Sequence, residues 1–267
     1  MNAAEFIGLE PTDEPHRWRL PVVRGNSSGI GALFGGAGLA AAIEAMERTT
    51  GRPLVWATAQ YLSFARAPSV VNVEVVEAAA GHKVSQVRAT GHVGDKEIFT
   101  VNAALGRRSF DGSGSWAVPP EVPPPEACPV RPSDDRHAGT MLSRIEMRLA
   151  RARPPEELPG PPGDGRSALW ARLPLEVSAA SLAVVGDLVP FGISQALGRR
   201  AGGNSLDNTL RVIHRVPTEW MLLDVRIQGV ADGFGHGLVH LWARDGTLLA
   251  TASQTAVVRE WRETPNR

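Results

Sequence analysis

A glutamine interrupts one apolar face of the last strand that the sequence predicts. Residues 247–258 alternate with period two, and one face holds a single amide among small or apolar side chains: Leu248, Ala250, Ala252, Gln254, Ala256 and Val258. Burying an amide without hydrogen-bond partners costs about 1 to 3 kcal/mol. Gln254 therefore predicts partners in the core, and these belong either to a reaction site or to backbone groups that satisfy a structural glutamine.

A lone carboxylate lies in an apolar helical segment upstream. Asp187 is the one ionisable side chain within residues 177–198, and a helix that is apolar nearly all round is typical of one enclosed by a sheet. A buried carboxylate needs hydrogen bonds or a paired charge, or its pKa rises through desolvation. A general base that works near neutral pH requires such a raised pKa. The alternative is an aspartate near the helix end that faces water, with Pro190 ending the helix early.

The elements that must position these residues occur twice in the chain. A proline-rich linker, predicted over residues 111–136, separates a first half (1–110) from a second half (137–267), and prolines favour extended chain. Each half has one helix followed by four strands. The predicted helices cover residues 37–49 and 178–191, and the predicted strands cover 54–65, 70–78, 83–91 and 97–105 in the first half and 205–215, 220–230, 235–243 and 247–258 in the second.

An antiparallel meander with short turns packs most economically by curling around its helix. We therefore expect an α+β protein built from two repeats, each an antiparallel sheet wrapped around a central helix.

The duplication provides an internal control. The halves superpose with an offset of about 150 residues, which places Asp95 on Asp245. At the position of Gln254 the first half has Ala104, and at the position of Ser205 it has Trp56. If these polar groups were needed to build the fold, the first half would be expected to have them too. Their absence there favours a functional role in the second half.

Composition excludes several classes of partner and site. The 267 residues include 28 basic and 28 acidic side chains, which gives no general attraction to nucleic acid or to an anionic membrane. A single cysteine, Cys128, supplies neither a disulfide framework nor a multi-cysteine zinc site. The N-terminus lacks a signal-peptide pattern, and no stretch approaches 18 uninterrupted apolar residues. We expect a cytoplasmic protein without a membrane span.

Two further patterns are weak as ligand sites. His236 and His240 have the spacing of a helical metal pair, but they lie in a predicted strand without a third ligand. Gly35, Gly36 and Gly38 lack the strand and helix context of a dinucleotide fingerprint. We expect no metal and no cofactor.

A set of short motifs, in order along nearly the whole chain, resembles the acyl-CoA thioesterase II (TesB-like) family, which has a double hotdog fold. The matching segments are Leu33-Phe34-Gly35-Gly36, Ile145-Glu146-Met147-Arg148, Leu169-Trp170-Ala171-Arg172, Gly186-Asp187-Leu188-Val189-Pro190, Ser205-Leu206-Asp207, His214-Arg215, Glu219-Trp220-Met221-Leu222-Leu223, and Arg244-Asp245-Gly246-Thr247-Leu248-Leu249-Ala250-Thr251 running into Gln254. Each motif is weak alone, and their order across two repeats makes the resemblance specific.

The resemblance implies hydrolysis of an acyl-CoA thioester at Asp187, Ser205 and Gln254, all in the second repeat. These residues would together hold one water, with Asp187 as general base or orienting carboxylate and Ser205 as a water-holder. A nucleophilic role for Ser205 is not indicated, because Ser205 does not lie in a Gly-x-Ser-x-Gly elbow. The developing oxyanion would need donors, for which helix N-terminal N–H groups or the Gln254 amide are candidates.

Two other functions remain open at the level of sequence. One is a non-catalytic binder of acyl-CoA or acyl carrier. The other is a hotdog lyase that hydrates an enoyl-CoA, although such chemistry usually uses an Asp/His pair and no histidine follows Asp187 before His214. We also expect a homo-oligomer, because sheet edges and faces remain exposed in this architecture.

Overall fold

The structure of the chain is a computed structural model that describes residues 1–132 and 135–260. Residues 133–134, which belong to the predicted linker, and residues 261–267, which end the predicted second repeat, lie outside the described residues.

The first repeat has one long helix and a meander of antiparallel strands. Its predicted helix and four strands are present, with ends that differ by a few residues. The elements are α1 (Ala3–Ile7), β1 (Glu10–Pro11), β2 (Arg17–Val22), α2 (Gly35–Thr50), β3 (Leu54–Tyr61), β4 (Ser69–Ala80), β5 (Val84–Val93) and β6 (Lys96–Gly106).

The second repeat follows the same order with two interruptions. Its elements are β7 (Glu146–Arg151), β8 (Arg166–Arg172), α3 (Ala179–Gly186), α4 (Val189–Leu197), β9 (Ala201–Ser205), β10 (Asp207–Val212), β11 (Met221–Ala231), β12 (Phe234–Ala243) and β13 (Leu248–Glu260). The prediction of one continuous helix over 178–191 was wrong, because the chain forms two helices there. The predicted strand 205–215 is likewise split at Leu206, so that Ser205 ends β9 and pairs opposite Ala256 of β13.

The break between α3 and α4 has a local cause. Pro190 lies in the first turn of α4, and in an unbroken helix its ring would clash with the carbonyl of Gly186 and remove a hydrogen bond. Asp187 and Leu188 leave helical geometry, with φ/ψ of −86°/52° and −126°/14°. The carboxylate therefore lies at a joint between two helices rather than on a helix.

Among the described residues the strands form a single 13-stranded sheet in the order β1-β2-β4-β5-β6-β3-β10-β13-β12-β11-β8-β7, with β9 pairing off this path with β13. The repeats join where β3 runs antiparallel to β10, and Thr58 faces Thr209 in that register. Their hydroxyl oxygens lie 2.7 Å apart. Because equivalent strands of the two repeats pair there, the second sheet continues the first.

One apolar core runs through both repeats. Helix α2 is rich in alanine on its buried face, and the large side chains Leu39, Ile43 and Met46 are fully buried beside them. Burying each of these large side chains stabilises the fold by about 1.5 to 3 kcal/mol. The small side chains let α2 approach α3 closely, which brings the first turn of α2 beside Asp187.

The proline-rich segment packs on the outer face of the second repeat. Cys128 is buried there in a cluster with three tryptophans, and Trp170 Nε1 donates to the carbonyl oxygen of Pro123 at 2.9 Å. The segment therefore covers an aromatic surface that would otherwise face water.

Segment Ala179–Leu197 has the length and mean hydropathy of a candidate membrane span, but 78% of its most apolar stretch is buried inside the protein. Core helices of globular proteins share these properties, so this segment is weak evidence for a membrane span.

Candidate active site

The structure brings together the three residues that the resemblance assigns to the site. Gln254 Nε2 donates to Asp187 Oδ1 and, at 3.1 Å, to Ser205 Oγ. Ser205 Oγ donates to the same carboxylate oxygen at 3.3 Å. A helix joint, the end of β9 and the middle of β13 supply these groups. The side chains form a closed triangle of hydrogen bonds that gathers two donors on one carboxylate oxygen.

Gln254 has the partners that its burial requires. The residue is 2% exposed, and its Oε1 accepts a hydrogen bond from the Val189 N–H at 3.0 Å. Val189 lies in the first turn of α4, where backbone N–H groups have no acceptor within the helix. The amide therefore satisfies the start of α4 with its oxygen and orients Asp187 with its nitrogen, so its identity serves both the fold and the site.

The second oxygen of Asp187 is held by the other repeat. Gly36 N–H, in the first turn of α2, donates to Asp187 Oδ2 at 2.6 Å. A Cβ at Gly36 would lie 2.9 Å from Asp187 Cβ and 2.8 Å from the carbonyl oxygen of Ala183. Only glycine fits so close an approach. The expectation that the second repeat alone forms the site was therefore incomplete, because the first repeat supplies a backbone donor.

Burial raises the pKa of Asp187 from 3.8 to about 6, and the hydrogen bonds from Gln254, Gly36 and Ser205 limit that rise. Asp187 is 6% exposed, so desolvation of the charged form outweighs the three donors. A carboxylate with such a pKa is ionised at neutral pH and still basic enough to accept a proton from water. The raised pKa expected from the sequence is present, while the water-facing alternative does not fit this burial.

A cavity of about 780 Å³ opens onto the carboxylate. Asp187 and Ser205 line it, whereas Gln254 lies behind them outside its wall. Apolar side chains from both repeats and from the segment before β7 form much of its surface: Leu33, Phe34, Ile98, Phe99, Leu142 and Phe191. This volume is typical of small-molecule sites. The site can therefore place an apolar group against a buried carboxylate.

Other candidates from the sequence lie apart from this cluster. His214 Nδ1 lies 2.9 Å from the carbonyl oxygen of Leu248, and His236 Nδ1 lies 3.1 Å from the Thr255 hydroxyl. Within residues 1–132 and 135–260, no group of three or more histidine, cysteine, aspartate or glutamate side chains has a geometry suited to a metal ion.

The sequence did not indicate three contributions to the site. They are the Gly36 N–H on Asp187, the Val189 N–H on Gln254 and the Tyr61 hydroxyl, which donates to the Gly35 carbonyl oxygen at 2.8 Å. The glycine pair at the start of α2 was the one available signal, since adjacent glycines at a helix start permit close backbone approach. Tyr61 has no comparable signal in the sequence.

Comparison with known proteins identifies both halves of the chain. A family model described as the acyl-CoA thioesterase N-terminal domain matches residues 23–106, and one described as the C-terminal domain matches residues 125–258. A search of curated proteins found no significant match.

Solved structures agree over nearly the full length. A protein of Novosphingobium aromaticivorans that carries a provisional thioesterase assignment shares 33% identity with a TM-score of 0.83, covering 93% of this chain and 97% of its own. A hot dog fold protein of unknown function from Alicyclobacillus acidocaldarius has 21% identity and a TM-score of 0.84, covering 97% and 98%. An acyl-CoA thioesterase II, TesB2, of Mycobacterium marinum has 20% identity and a TM-score of 0.76, covering 98% and 100%.

The α+β double hotdog architecture expected from the sequence is confirmed by these similarities and by the continuous antiparallel sheet with its central helices. Since domain models of one family match most of the chain, the protein belongs to the acyl-CoA thioesterase family and is a thioester hydrolase.

Proposed function

We propose that the protein hydrolyses acyl-CoA to a free carboxylic acid and CoA through a water held at the cluster of Asp187, Ser205 and Gln254. One observation carries this proposal: a buried carboxylate with a raised pKa, fixed by three donors, faces a largely apolar cavity. A general base and an apolar pocket are what attack of water on an acyl thioester requires.

The three side chains have different tasks in this proposal. Asp187 accepts a proton from the water while the oxygen of that water attacks the thioester carbonyl carbon. Ser205 lines the cavity beside Asp187 and holds the same water with its hydroxyl. Gln254 holds both groups in place from behind, because its amide nitrogen contacts Asp187 and Ser205 at once. Fixed geometry of this kind removes much of the entropic cost of the reaction.

The thioester carbonyl lies at the start of α2 in this arrangement. Gly35 lines the cavity in the first turn of the helix, where a backbone N–H has no acceptor within the helix and the helix dipole favours negative charge. Such a donor stabilises the oxyanion of the tetrahedral intermediate. Collapse of the intermediate expels CoA as a thiolate, which needs little protonation because a thiol has a pKa of about 8.5.

A thiol-release screen over short, medium and long acyl-CoAs tests the function. We expect release of CoA at a rate that depends on acyl length, because a cavity of finite volume receives the acyl group. Binding without thiol release across the whole panel would instead support a non-catalytic binder. Loss of enoyl absorbance from an enoyl-CoA without thiol release would support a lyase. Against the lyase, the side-chain partners of Asp187 among the described residues are Gln254 and Ser205 rather than a histidine.

The pH dependence of turnover follows from the pKa of Asp187. The ionised form is the base, so kcat/KM should rise with pH, approach its plateau above about 6 and fall tenfold per unit well below that value. Acyl-pantetheine thioesters are the substrate of choice, since phosphate groups of CoA titrate in the same range. A profile that stays flat down to pH 5 would show that an ionised Asp187 is not required.

Replacing Ser205 with alanine separates a water-holder from a nucleophile. Removal of one hydrogen bond to a positioned water should lower kcat by about 10- to 100-fold. Loss of a covalent nucleophile would lower kcat by about 10⁶-fold. Steady-state rates and a search for a burst of thiol distinguish the two outcomes. A burst in the native protein, or complete loss of turnover in a folded Ser205→Ala variant, would overturn the role of Ser205 as a water-holder.

We also retain the homo-oligomeric state and the cytoplasmic location as predictions. Val55 on β3 and Ile213, directly after β10, are 42% and 41% exposed beside the junction between the repeats, and covering exposed apolar side chains favours association. Light scattering after gel filtration measures the assembly directly, and a monomer at micromolar concentration would contradict it.

A further inference from the structure

Tyr61 is the one tyrosine of the chain, and it has no task in the proposed hydrolysis. It ends β3 in the first repeat and lines the cavity. Its hydroxyl donates to the carbonyl oxygen of Gly35 at 2.8 Å. The residue lies on the opposite repeat from Asp187, Ser205 and Gln254, yet it reaches the same first turn of α2 that contacts the carboxylate.

The Gly35 carbonyl and the Gly36 N–H are the two ends of one peptide unit. This unit is planar, and its bonding electrons are delocalised over oxygen, carbon and nitrogen. Tyr61 binds the oxygen end at 2.8 Å, and Asp187 Oδ2 accepts from the nitrogen end at 2.6 Å. A donor on the oxygen of an amide strengthens the N–H as a donor. The phenol and the carboxylate are thus linked through a rigid group that transmits both orientation and polarisation.

The surrounding space leaves little room for other arrangements. A Cβ at Gly35 would lie 2.8 Å from Asp187 Oδ2 and 3.2 Å from both Cζ and the hydroxyl oxygen of Tyr61. The phenol and the carboxylate therefore both lie close against the Gly35 backbone, which leaves no space for a side chain at that position. Rotation of the peptide away from Asp187 would also separate it from Tyr61, so each contact holds the other in place.

Burial, together with the charges around this link, keeps the phenol protonated. Burial raises the pKa of Tyr61 well above 10, the negative charges of Asp187 and Asp207 raise it further, and the Asn208 amide opposes the rise. Asp207 begins β10 opposite Gln60, the residue before Tyr61 on β3, and its Oδ1 accepts from the Thr255 N–H at 2.7 Å. The groups that contact Asp187 itself from α2, β9 and β13 are Gly36, Ser205 and Gln254, none of which titrates near neutral pH. Tyr61 therefore remains a donor across the working range.

We propose that Tyr61 is a positioning residue that acts through the Gly35–Gly36 peptide: its hydroxyl aims the Gly36 N–H at Asp187 and so fixes the carboxylate that holds the attacking water. This inference rests on the proposed function for its catalytic consequence, whereas the link between Tyr61 and Asp187 is a property of the folded protein alone. Tyr61 also lines the cavity, and that contact with the cavity is separate from its positioning role.

Titration of Asp187 in the Tyr61→Phe variant tests the link without any substrate. Aspartate labelled with ¹³C at the carboxyl carbon reports ionisation by NMR, and the resonance that disappears in Asp187→Asn is that of Asp187. Loss of the hydroxyl weakens the Gly36 donor, so the Asp187 midpoint should rise by about 0.5 pH unit. Thr58→Val is the matched control: it removes a hydroxyl three residues earlier on β3 that contacts Thr209 instead, and it should leave the midpoint unchanged.

Fluorinated tyrosine should shift the titration midpoint of Asp187 in the opposite direction. Because the chain has one tyrosine, biosynthetic incorporation of 3-fluorotyrosine modifies Tyr61 alone and keeps the side chain nearly isosteric. The more acidic phenol is a stronger donor, so the Asp187 midpoint should fall. This measurement also applies if Tyr61→Phe does not fold. An unchanged midpoint with fluorotyrosine, or with a folded Tyr61→Phe protein, would overturn the link.

Kinetics tests the catalytic consequence. In Tyr61→Phe we expect kcat to fall about 3- to 10-fold and the acid limb of kcat/KM for an acyl-pantetheine to move to higher pH by the same amount as the NMR midpoint. A purely structural role would lower activity equally at all pH values and leave the limb in place, and that result would overturn the positioning role. Absence of turnover in the native protein would refute the proposed function, while the NMR shifts would still decide the link.

Discussion

Asp187→Asn is expected to lower kcat/KM by about 10²- to 10⁴-fold while the protein remains folded. The substitution preserves side-chain volume but removes the base, and general base catalysis contributes a factor of this size. Thiol release from the best acyl-CoA of the screen measures the effect. The residual activity should also lack the acid limb near pH 6. Full activity in a folded Asp187→Asn protein would contradict the assignment of the site.

A neighbouring aspartate provides the control for this substitution. Asp207 lies on β10 close to Tyr61, and its Oδ1 accepts a backbone hydrogen bond from Thr255. An asparagine keeps that acceptor, so Asp207→Asn should retain activity within about threefold. A loss comparable to that of Asp187→Asn would mean that negative charge in this region, rather than the Asp187 base, limits turnover.

The pH dependence of stability separates loss of the base from misfolding. The pKa of Asp187 is raised from 3.8 to about 6 in the folded state, so the folded protein binds the proton more tightly than the unfolded chain does. The stabilisation that comes from this proton binding is fully present below pH 3.8 and is lost as pH rises through 6. The loss is at most about 3 kcal/mol in the free energy of unfolding. Asp187→Asn lacks this loss. Its stability relative to the native protein should therefore increase between pH 4 and pH 7 in urea denaturation.

Gly36→Ala is expected to destabilise the protein by about 1 to 3 kcal/mol and to lower activity by about 100-fold. The added Cβ would lie 2.8 Å from the Ala183 carbonyl oxygen and 2.9 Å from both Asp187 Cβ and Phe34 Cε1. Relief of these contacts requires α2 and α3 to move apart, and overpacking of a core costs energy of this size. Misplacing a catalytic group by about 1 Å costs about 10²-fold in rate. Urea denaturation and thiol release measure the two effects.

Gly38 on the same helix supplies the matched comparison for stability. A Cβ there would meet Leu33 Cδ2 at 3.4 Å and Phe99 at 3.5 Å, which is ordinary van der Waals contact. Alanine within a helix is favoured over glycine by about 0.5 to 1 kcal/mol, so Gly38→Ala should be neutral or stabilising. Equal stability of the two variants would show that α2 does not require glycine at its contact with α3.

The division of the chain into repeats could be predicted because each element carries its own local pattern. Helix α2 and strands β3 to β6 follow hydrophobic periodicities that are written in neighbouring residues, and the second half repeats their order. The helix after residue 178 was predicted as continuous because its composition is apolar throughout. The steric conflict of Pro190 with Gly186 ends that helix one turn earlier than apolar composition suggests.

The candidate site was only partly predictable for a related reason. Gln254 and Asp187 stood out because each is a polar residue in an apolar setting, and burial of such groups demands partners. Ser205 required the family resemblance, since a serine near a strand end is common. Tyr61 gave no signal, because a tyrosine at the end of a strand is equally typical of structures without a site. The Gly35–Gly36 pair indicated only that another backbone or side chain could approach the start of α2 closely.

The sequence by itself determined the repeated α+β architecture, the polar residues placed in an apolar setting and, through its motifs, the family. Tertiary structure decided which groups share the site. Gly36 and Asp187 are 151 residues apart, and Asp187 and Gln254 are 67 apart, so their contacts depend on how α2, α3 and β13 pack. The raised pKa of Asp187 arises in the same way, because desolvation is set by the whole enclosure around a carboxylate rather than by its neighbours in sequence.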